Sequence, residues 1–72
     1  MKKITDESIF FIYLLEQYAL HKNMTGKQTL DLFVENDMIK YIYYMYYTYH
    51  TERLENAIKD IDKRLQEASL NK

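Results

Sequence analysis

Cysteine and proline are absent from this 72-residue sequence, and glycine occurs once, at Gly26. Without cysteine the chain can form neither a disulfide nor a thiolate metal site, which is consistent with a reducing compartment. Its two histidines, His21 and His50, are too few for a metal core. We therefore expect no metal and no cofactor, and the scarcity of helix breakers predicts an all-α fold of long, regular elements.

Positive and negative charges are nearly balanced, since the net charge is −1 at pH 7. A chain with this balance has no strong electrostatic attraction to nucleic acid. Its apolar run at residues 9–15 is too short to span a membrane. The acidic Asp6 and Glu7, and the lack of a small-residue cleavage site, argue against a signal peptide. We therefore expect a cytoplasmic protein without a membrane partner.

The length predicts one domain, residues 1–72, and its 47% of hydrophobic residues is too high for a disordered chain. A core of this size stabilises a fold only marginally, and the usual supports are disulfides, a metal or a partner. Because disulfides and a metal are not expected, the support should come from another protein or from a second copy of the chain.

Hydrophobic periodicity and capping signals predict a small bundle of three to four helices. The predicted helices span approximately residues 6–21, 26–35, 38–49 and 52–68. Thr5 is the expected N-cap of the first, and Thr25 with Gln28 has the pattern of a capping box before the second. Asp37 and Thr51 are the expected caps of the third and fourth.

The predicted first helix is apolar over more than half of its circumference, so we expect it to be central to the fold. Its apolar residues are Phe10, Phe11, Ile12, Leu14, Leu15, Tyr18 and Ala19. The strip expected to face outward comprises Tyr13, Glu16, Gln17 and Leu20. The core face of the second helix should consist of Leu30, Phe33 and Val34. The stripe of the last helix consists of Leu54, Ala57, Ile58, Ile61, Leu65 and Ala68.

Residues 41–50 contain six of the eight tyrosines. A strand is conceivable because Tyr and Ile favour strands and the tract nearly alternates, but no partner strand is evident elsewhere, so we predict a helix. One face of this predicted helix consists of Met38, Tyr41, Ile42, Met45 and Tyr49. Its opposite side consists of Tyr43, Tyr44, Tyr47 and Lys40.

This opposite side is the strongest candidate for a binding site. Tyrosine combines a large apolar area with a polar tip and is enriched at binding hot spots. Exposed together, Tyr43, Tyr44 and Tyr47 would form a larger aromatic patch than monomers usually tolerate. We therefore predict that they bind a partner together with Lys40. Two alternatives stay open: the second helix or the chain ends cover them, or they stack on single-stranded nucleic acid, although only Lys40 is nearby as a cation.

Two short motifs with chemical associations are better explained as helix ends. His50-Thr51-Glu52 has the His-x-Glu spacing of zinc deaminases, which also need two cysteines, so His50 is expected to close the third helix. Thr25-Gly26-Lys27 lacks the glycine-rich loop and preceding strand of a phosphate-binding loop. Since no nucleophile–base pair can be drawn, we expect neither enzymatic activity nor a small-molecule substrate.

The order of several segments resembles a small bacterial family, domain-of-unknown-function family 3791. These segments are Glu16-Gln17-Tyr18-Ala19, Thr25-Gly26-Lys27 with Leu30-x-x-Phe33, Tyr41-Ile42, His50-Thr51 and Ile58-x-Asp60-Ile61-Asp62. The resemblance implies a helical protein without assigned catalytic residues. It also implies companion binding of the toxin-neutralising kind, because genes of the family tend to lie beside genes for other small proteins, including ADP-ribosyltransferase-like domains. Glu52-Arg53 replaces a polar, glycine-containing turn of the family, so we expect a more helical junction there.

The leading hypothesis is a non-enzymatic protein–protein interaction module. It would bind or restrain a co-encoded effector such as an ADP-ribosyltransferase-like toxin, in the manner of an antitoxin. The alternative is a self-associating structural or regulatory homodimer that uses the same tyrosines. A nucleic-acid-associated regulator is the weaker alternative because the net charge of −1 opposes it.

Overall fold

The computed structural model describes residues 5–70, and the side chains of residues 5–68. Over residues 5–70 the chain forms five α-helices and no strand. They are α1 (Asp6–His21), α2 (Gly26–Glu35), α3 (Met38–Tyr44), α4 (Tyr46–Thr51) and α5 (Leu54–Leu70). The predicted all-α class is confirmed, with five helices in place of the expected three to four. The predicted domain also includes residues 1–4 and 71–72, which lie outside the described range.

Local capping fixes the starts of α1 and α2, and both helices span the predicted residues. The Thr5 hydroxyl accepts a hydrogen bond from the backbone N–H of Ser8 at 3.1 Å. At α2, the Thr25 hydroxyl accepts from the N–H of Gln28 at 3.0 Å, and the Gln28 side chain accepts from the N–H of Thr25 at 2.9 Å. The reciprocal bonds form the predicted capping box and satisfy N–H groups that a helix start leaves free.

The predicted third helix is divided at Met45 into α3 and α4, which is a correction to the single span 38–49. A straight helix separates residues eight positions apart by about 12 Å along its axis. The rings of Tyr41 and Tyr49 nevertheless converge, with centroids 6.4 Å apart. The division at Met45 accompanies this convergence.

Thr51 ends α4 and does not cap the last helix, contrary to the sequence prediction. Its hydroxyl donates to the carbonyl oxygens of Tyr47 at 3.1 Å and Thr48 at 2.9 Å. Glu52 then adopts an extended conformation with φ −107° and ψ 175°. The last helix therefore begins at Leu54, and the expectation of a more helical junction at residues 52–53 was wrong.

Asp37 precedes α3 as predicted, but its side chain makes no capping hydrogen bond. Its backbone is left-handed, with φ 55° and ψ 38°. An aspartate tolerates this conformation better than most residues because its side chain is short and polar. Asp37 therefore serves to reverse the chain between α2 and α3.

The hydrophobic core receives residues from every helix. Its buried members are Leu14, Tyr18, Phe33, Met38, Ile42, Tyr49, Ala57, Ile58 and Ile61. Tyr41, Met45, Leu54 and Leu65 are partly buried against them. The predicted stripes of the tyrosine tract and of the last helix therefore face the core.

The core face of α2 differs from the prediction. Phe33 is fully buried, but Leu30 and Val34 are exposed, and the second buried residue is Thr29. The Thr29 hydroxyl donates to the carbonyl oxygen of Thr25 at 3.0 Å, so it can be buried without a lost hydrogen bond. Packing of the Phe33 ring against Tyr18, with centroids 5.4 Å apart, fixes this rotation of α2.

Candidate protein-interaction surface

Three of the tyrosines connect helices through two aspartates of α5. Asp60 Oδ2 accepts hydrogen bonds from the hydroxyls of Tyr41 at 2.8 Å and Tyr49 at 2.5 Å. Asp62 Oδ1 accepts from the Tyr18 hydroxyl at 2.6 Å. These bonds join α3, α4 and α1 to α5, and they satisfy the polar tips of tyrosines whose rings lie in or against the core.

The same environment raises the pKa of each of these hydroxyls. For Tyr18 and Tyr49 the main cause is burial, which disfavours the phenolate, and the hydrogen bond to the neighbouring aspartate adds to it. Burial and Asp60 also raise the pKa of Tyr41, while Tyr49 and the positive charge of Arg64 partly oppose them. All three tyrosines therefore act as neutral hydrogen-bond donors.

Two cations lie beside these tyrosines. Lys22 Nζ is 2.6 Å from Asp62 Oδ2, so Asp62 binds a hydroxyl and an ammonium at once. The guanidinium carbon of Arg64 lies 4.0 Å from the centroid of the Tyr41 ring, in cation–π geometry. Both contacts stabilise the connections between helices and occupy these residues within the fold.

Tyr43, one of the predicted partner-binding residues, is half covered by α1. Its ring centroid lies 5.5 Å from that of Phe11, and its hydroxyl shares a hydrogen bond of 2.9 Å with the hydroxyl of Ser8. Its exposed fraction is 39%. Tyr43 therefore contributes to the packing of α3 on α1 and is less open to solvent than Tyr44 and Tyr47.

The remaining predicted residues are open to solvent. Tyr44 is 82% exposed and Tyr47 is 76% exposed, at the end of α3 and the beginning of α4. Lys40 is also exposed, one helical turn before Tyr44. We call Tyr44 and Tyr47, with Tyr43 and Lys40 at their edge, the tyrosine surface.

A series of aromatic contacts connects Tyr47 to α1. Its ring meets the imidazole of His50 edge-on, with centroids 5.5 Å apart, and that imidazole stacks on Tyr46 at 4.4 Å. Tyr46 in turn meets Phe10 of α1 at 5.5 Å. His50 is held in place by a hydrogen bond of 2.8 Å between its Nδ1 and the carbonyl oxygen of Tyr46, within the last turn of α4. His50 was expected to close the third helix, but it lies inside α4, which ends one residue later at Thr51.

A second exposed apolar surface lies on α1 and was not predicted as a site. It consists of Ile9, Ile12, Tyr13, Glu16 and Leu20, which we call the α1 stripe. Leu20 is 74% exposed, and Ile12, expected in the core, is more than half exposed. The sequence did carry a signal, because a helix that is apolar over more than half of its circumference can keep part of its apolar surface exposed after its neighbours have packed against it.

The family comparison agrees with the resemblance drawn from the sequence. The model of a family described as "Protein of unknown function (DUF3791)" matches residues 9–68. The chain belongs to this family. The match extends from the first turn of α1 almost to the end of α5, so it includes both exposed surfaces. No curated protein and no solved structure matches the chain.

Several segments that carry the DUF3791 resemblance coincide with the connections between helices. Tyr18, Tyr41, Asp60 and Asp62 all belong to those segments, and they form the hydrogen bonds that join α1 and α3 to α5. Tyr44 and Tyr47 do not belong to them. The resemblance of this DUF3791 protein to its family therefore rests partly on residues that hold the fold together.

Residues 5–70 contain neither a metal-binding cluster nor a membrane-spanning helix. Within this range no three His, Asp or Glu side chains are grouped as they would be to hold a metal ion. No helix in the described part of the chain has both the length and the apolar character needed to cross a membrane.

Proposed function

We propose that this protein is a non-enzymatic interaction module that binds another protein through the tyrosine surface. The observation that carries the proposal is the exposure of two whole tyrosine rings, Tyr44 at 82% and Tyr47 at 76%. Isolated exposed apolar residues are ordinary, but adjacent aromatic rings at this exposure are typical of protein contact sites. Their hydroxyls can donate to or accept from a partner while the rings contribute apolar area.

The aromatic contacts of Tyr47 favour a role in binding over exposure without a function. The stacked Tyr46 and His50 rings restrict where the Tyr47 ring can go. A side chain that is already restricted loses less conformational entropy when a partner immobilises it. Tyr47 therefore starts closer to a bound geometry than a free surface tyrosine does.

The partner best suited to this surface is a protein with an apolar recess and hydrogen-bond acceptors at its rim. We propose a co-encoded effector as that partner, in line with what the family resemblance implies, with an ADP-ribosyltransferase-like toxin as the first one to test. Binding would restrain such an effector by covering its functional surface. Lys40, at the edge of the tyrosine surface, would favour an acidic rim and affect the association rate more than the affinity.

Binding can be tested by calorimetric titration of purified products of neighbouring genes with the wild-type protein and the double variant Tyr44→Ser/Tyr47→Ser. We expect the double variant to lose at least about tenfold in affinity, since each buried aromatic ring at an interface can contribute more than 1 kcal/mol. Tyr43 is left unchanged because its contacts with Phe11 and Ser8 support the fold.

The matched control is Leu30→Ser/Val34→Ser, which removes two exposed apolar side chains from α2. It should retain wild-type affinity, and both double variants should retain the far-UV circular dichroism of the wild type. Equal affinity of the tyrosine variant and the wild type would overturn the assignment of the tyrosine surface. If no neighbouring gene product bound, the proposal that the partner is co-encoded would be overturned.

A further inference from the structure

The α1 stripe has the spacing of a helix-pairing seam. Ile9, Tyr13, Glu16 and Leu20 follow one another at intervals of four, three and four residues. This alternation is the spacing by which two helices pack along a shared seam. Ile9 and Leu20 are 56% and 74% exposed, so the described part of the chain covers neither end of the seam.

We propose that a second copy of this chain docks on the α1 stripe, with the two α1 helices antiparallel about a two-fold axis between Tyr13 and Glu16. The proposal is independent of the tyrosine surface, whose Tyr44 and Tyr47 lie outside this seam. A two-fold contact requires one surface to complement itself, so each residue must meet a suitable partner on the other copy. The α1 stripe meets this requirement along its length.

Along the seam the pairs are chemically matched. In the antiparallel arrangement Ile9 of one copy lies opposite Leu20 of the other, which buries two apolar side chains. Tyr13 lies opposite Glu16 of the other copy, so the phenol hydroxyl can donate to the carboxylate. Glu16, the charged residue of the α1 stripe, thereby gains one donor in each copy, so the dimer contains two such contacts related by the axis.

Beside the seam the shape is also complementary. Ile12 projects from one flank of the α1 stripe, and the same flank contains a shallow apolar groove nearer the end of α1. The groove is lined by Glu16, Ala19, Leu20, Met24 and Gly26. Antiparallel pairing about the stated axis brings Ile12 of each copy over Ala19 in the groove of the other, where small residues leave room for it.

The first turn of α1 contains two acidic residues, Asp6 and Glu7, and its last turn contains none. Antiparallel pairing places the first turn of one copy beside the last turn of the other, and it also opposes the two helix dipoles. A parallel pair would instead place like ends together, so the charges favour the antiparallel arrangement.

A contact built on one helix per copy is small, at the lower end of specific interfaces. We therefore expect a dimer with a micromolar dissociation constant. Sedimentation equilibrium of the full chain across concentration measures it directly, since the monomer mass is 8.8 kDa. The mass should rise toward twice this value as the concentration increases.

Substitutions of exposed residues test whether the α1 stripe forms the dimer contact and whether the two α1 helices pair in the proposed antiparallel register. Leu20→Lys should weaken the dimer at least about tenfold because it places two cations in an apolar seam. Tyr13→Lys should be tolerated because each lysine meets Glu16 of the other copy, whereas Tyr13→Glu should dissociate the dimer through like charges. Val34→Lys on α2 and Tyr44→Ser/Tyr47→Ser are the matched controls and should leave the mass unchanged. Unchanged far-UV circular dichroism shows that each variant is folded.

Three results would overturn the proposal. The first is a wild-type mass that stays at 8.8 kDa at every concentration. The second is a dimer that withstands Leu20→Lys or that Tyr44→Ser/Tyr47→Ser dissociates. The third is an equal effect of Tyr13→Lys and Tyr13→Glu, which would exclude the antiparallel register. Partner binding at the tyrosine surface is measured separately, so a failure here leaves that test intact.

Discussion

The Tyr49 hydroxyl donates to Asp60 Oδ2 at 2.5 Å and so joins α4 to α5. Tyr41 of α3 donates to the same oxygen at 2.8 Å. One carboxylate of α5 thereby holds both halves of the divided tyrosine tract. Because α4 and α5 are separated only by residues 52–53, the Tyr49–Asp60 bond holds the chain close to the point where it turns back on itself.

Replacement of Asp60 should destabilise the fold strongly. Asp60→Ala removes the acceptor of Tyr49, whose side chain is 4% exposed and has little access to water as a substitute. We expect the free energy of unfolding to fall by about 3 kcal/mol, from two lost charge-assisted bonds and a buried hydroxyl without a partner. Urea unfolding followed by circular dichroism measures the change.

Asp31→Ala is the matched control for that experiment. Asp31 is likewise a hydrogen-bond acceptor, in its case from the Lys27 ammonium at 3.1 Å, but both side chains are mainly exposed. Exposed pairs of this kind contribute less than about 1 kcal/mol, so the control should be close to the wild type. Equal losses for the two variants would show that the Asp60 hydrogen bonds do not stabilise the fold.

Stability should decrease in alkaline solution. The pKa values of Tyr18, Tyr41 and Tyr49 are raised in the folded protein, so the unfolded chain releases these protons first, at about pH 10. Above that pH the unfolded state binds fewer protons than the folded one, and the free energy of unfolding falls as pH rises. The fall should approach about 1.4 kcal/mol per pH unit for each of the buried Tyr18 and Tyr49. It should be smaller for Tyr41, which is less buried and lies beside the positive charge of Arg64.

Tyr18→Phe isolates one contribution to this pH dependence. Near pH 7 the variant should be less stable by about 1 kcal/mol because it lacks the hydrogen bond to Asp62. Above about pH 10 its stability should fall less steeply than that of the wild type, since one raised pKa is gone. All other groups are the same in both proteins, so parallel curves would contradict the role assigned to Tyr18.

Local signals explain why α1 and α2 could be predicted residue by residue. Thr5, Thr25 and Gln28 each act within one helical turn, and no distant contact is needed to place them. Thr51 shows where local signals fail. Its hydroxyl could cap the helix that follows or hydrogen-bond to a carbonyl of the helix that precedes it. It bonds back to Tyr47 and Thr48, and the sequence allows either choice.

The roles of the individual tyrosines depend on contacts far along the chain. Helical spacing separated Tyr44 and Tyr47 from the core side of the tract, and both are exposed in the structure. Spacing could not show that Tyr43 is held by Ser8, which lies 35 residues earlier in the chain. Spacing placed part of the α1 stripe on the outward side of α1 but could not show that Ile12 is exposed too, because exposure of α1 depends on which of its faces the other helices cover.

Loss of the capping box should cost a moderate amount of stability. Thr25→Ala removes the acceptor for the N–H of Gln28 and leaves that group to water, which should lower the free energy of unfolding by about 1 kcal/mol. Thr48→Ala, at an exposed position inside α4, is the matched control and should be neutral or slightly stabilising. Equal stability of Thr25→Ala and the wild type in urea unfolding would show that the cap is not needed.

The left-handed backbone of Asp37 leads to a prediction of opposite sign for two substitutions. Its φ of 55° disfavours any residue with a Cβ, and a β-branched residue most of all. Asp37→Val should therefore lower the free energy of unfolding by about 1–2 kcal/mol. Asp37→Gly should leave it unchanged or raise it by up to about 1 kcal/mol, because glycine adopts this conformation without strain. Urea unfolding of the two variants measures the difference, and an equally stable Asp37→Val would mean that the turn between α2 and α3 does not require the left-handed conformation.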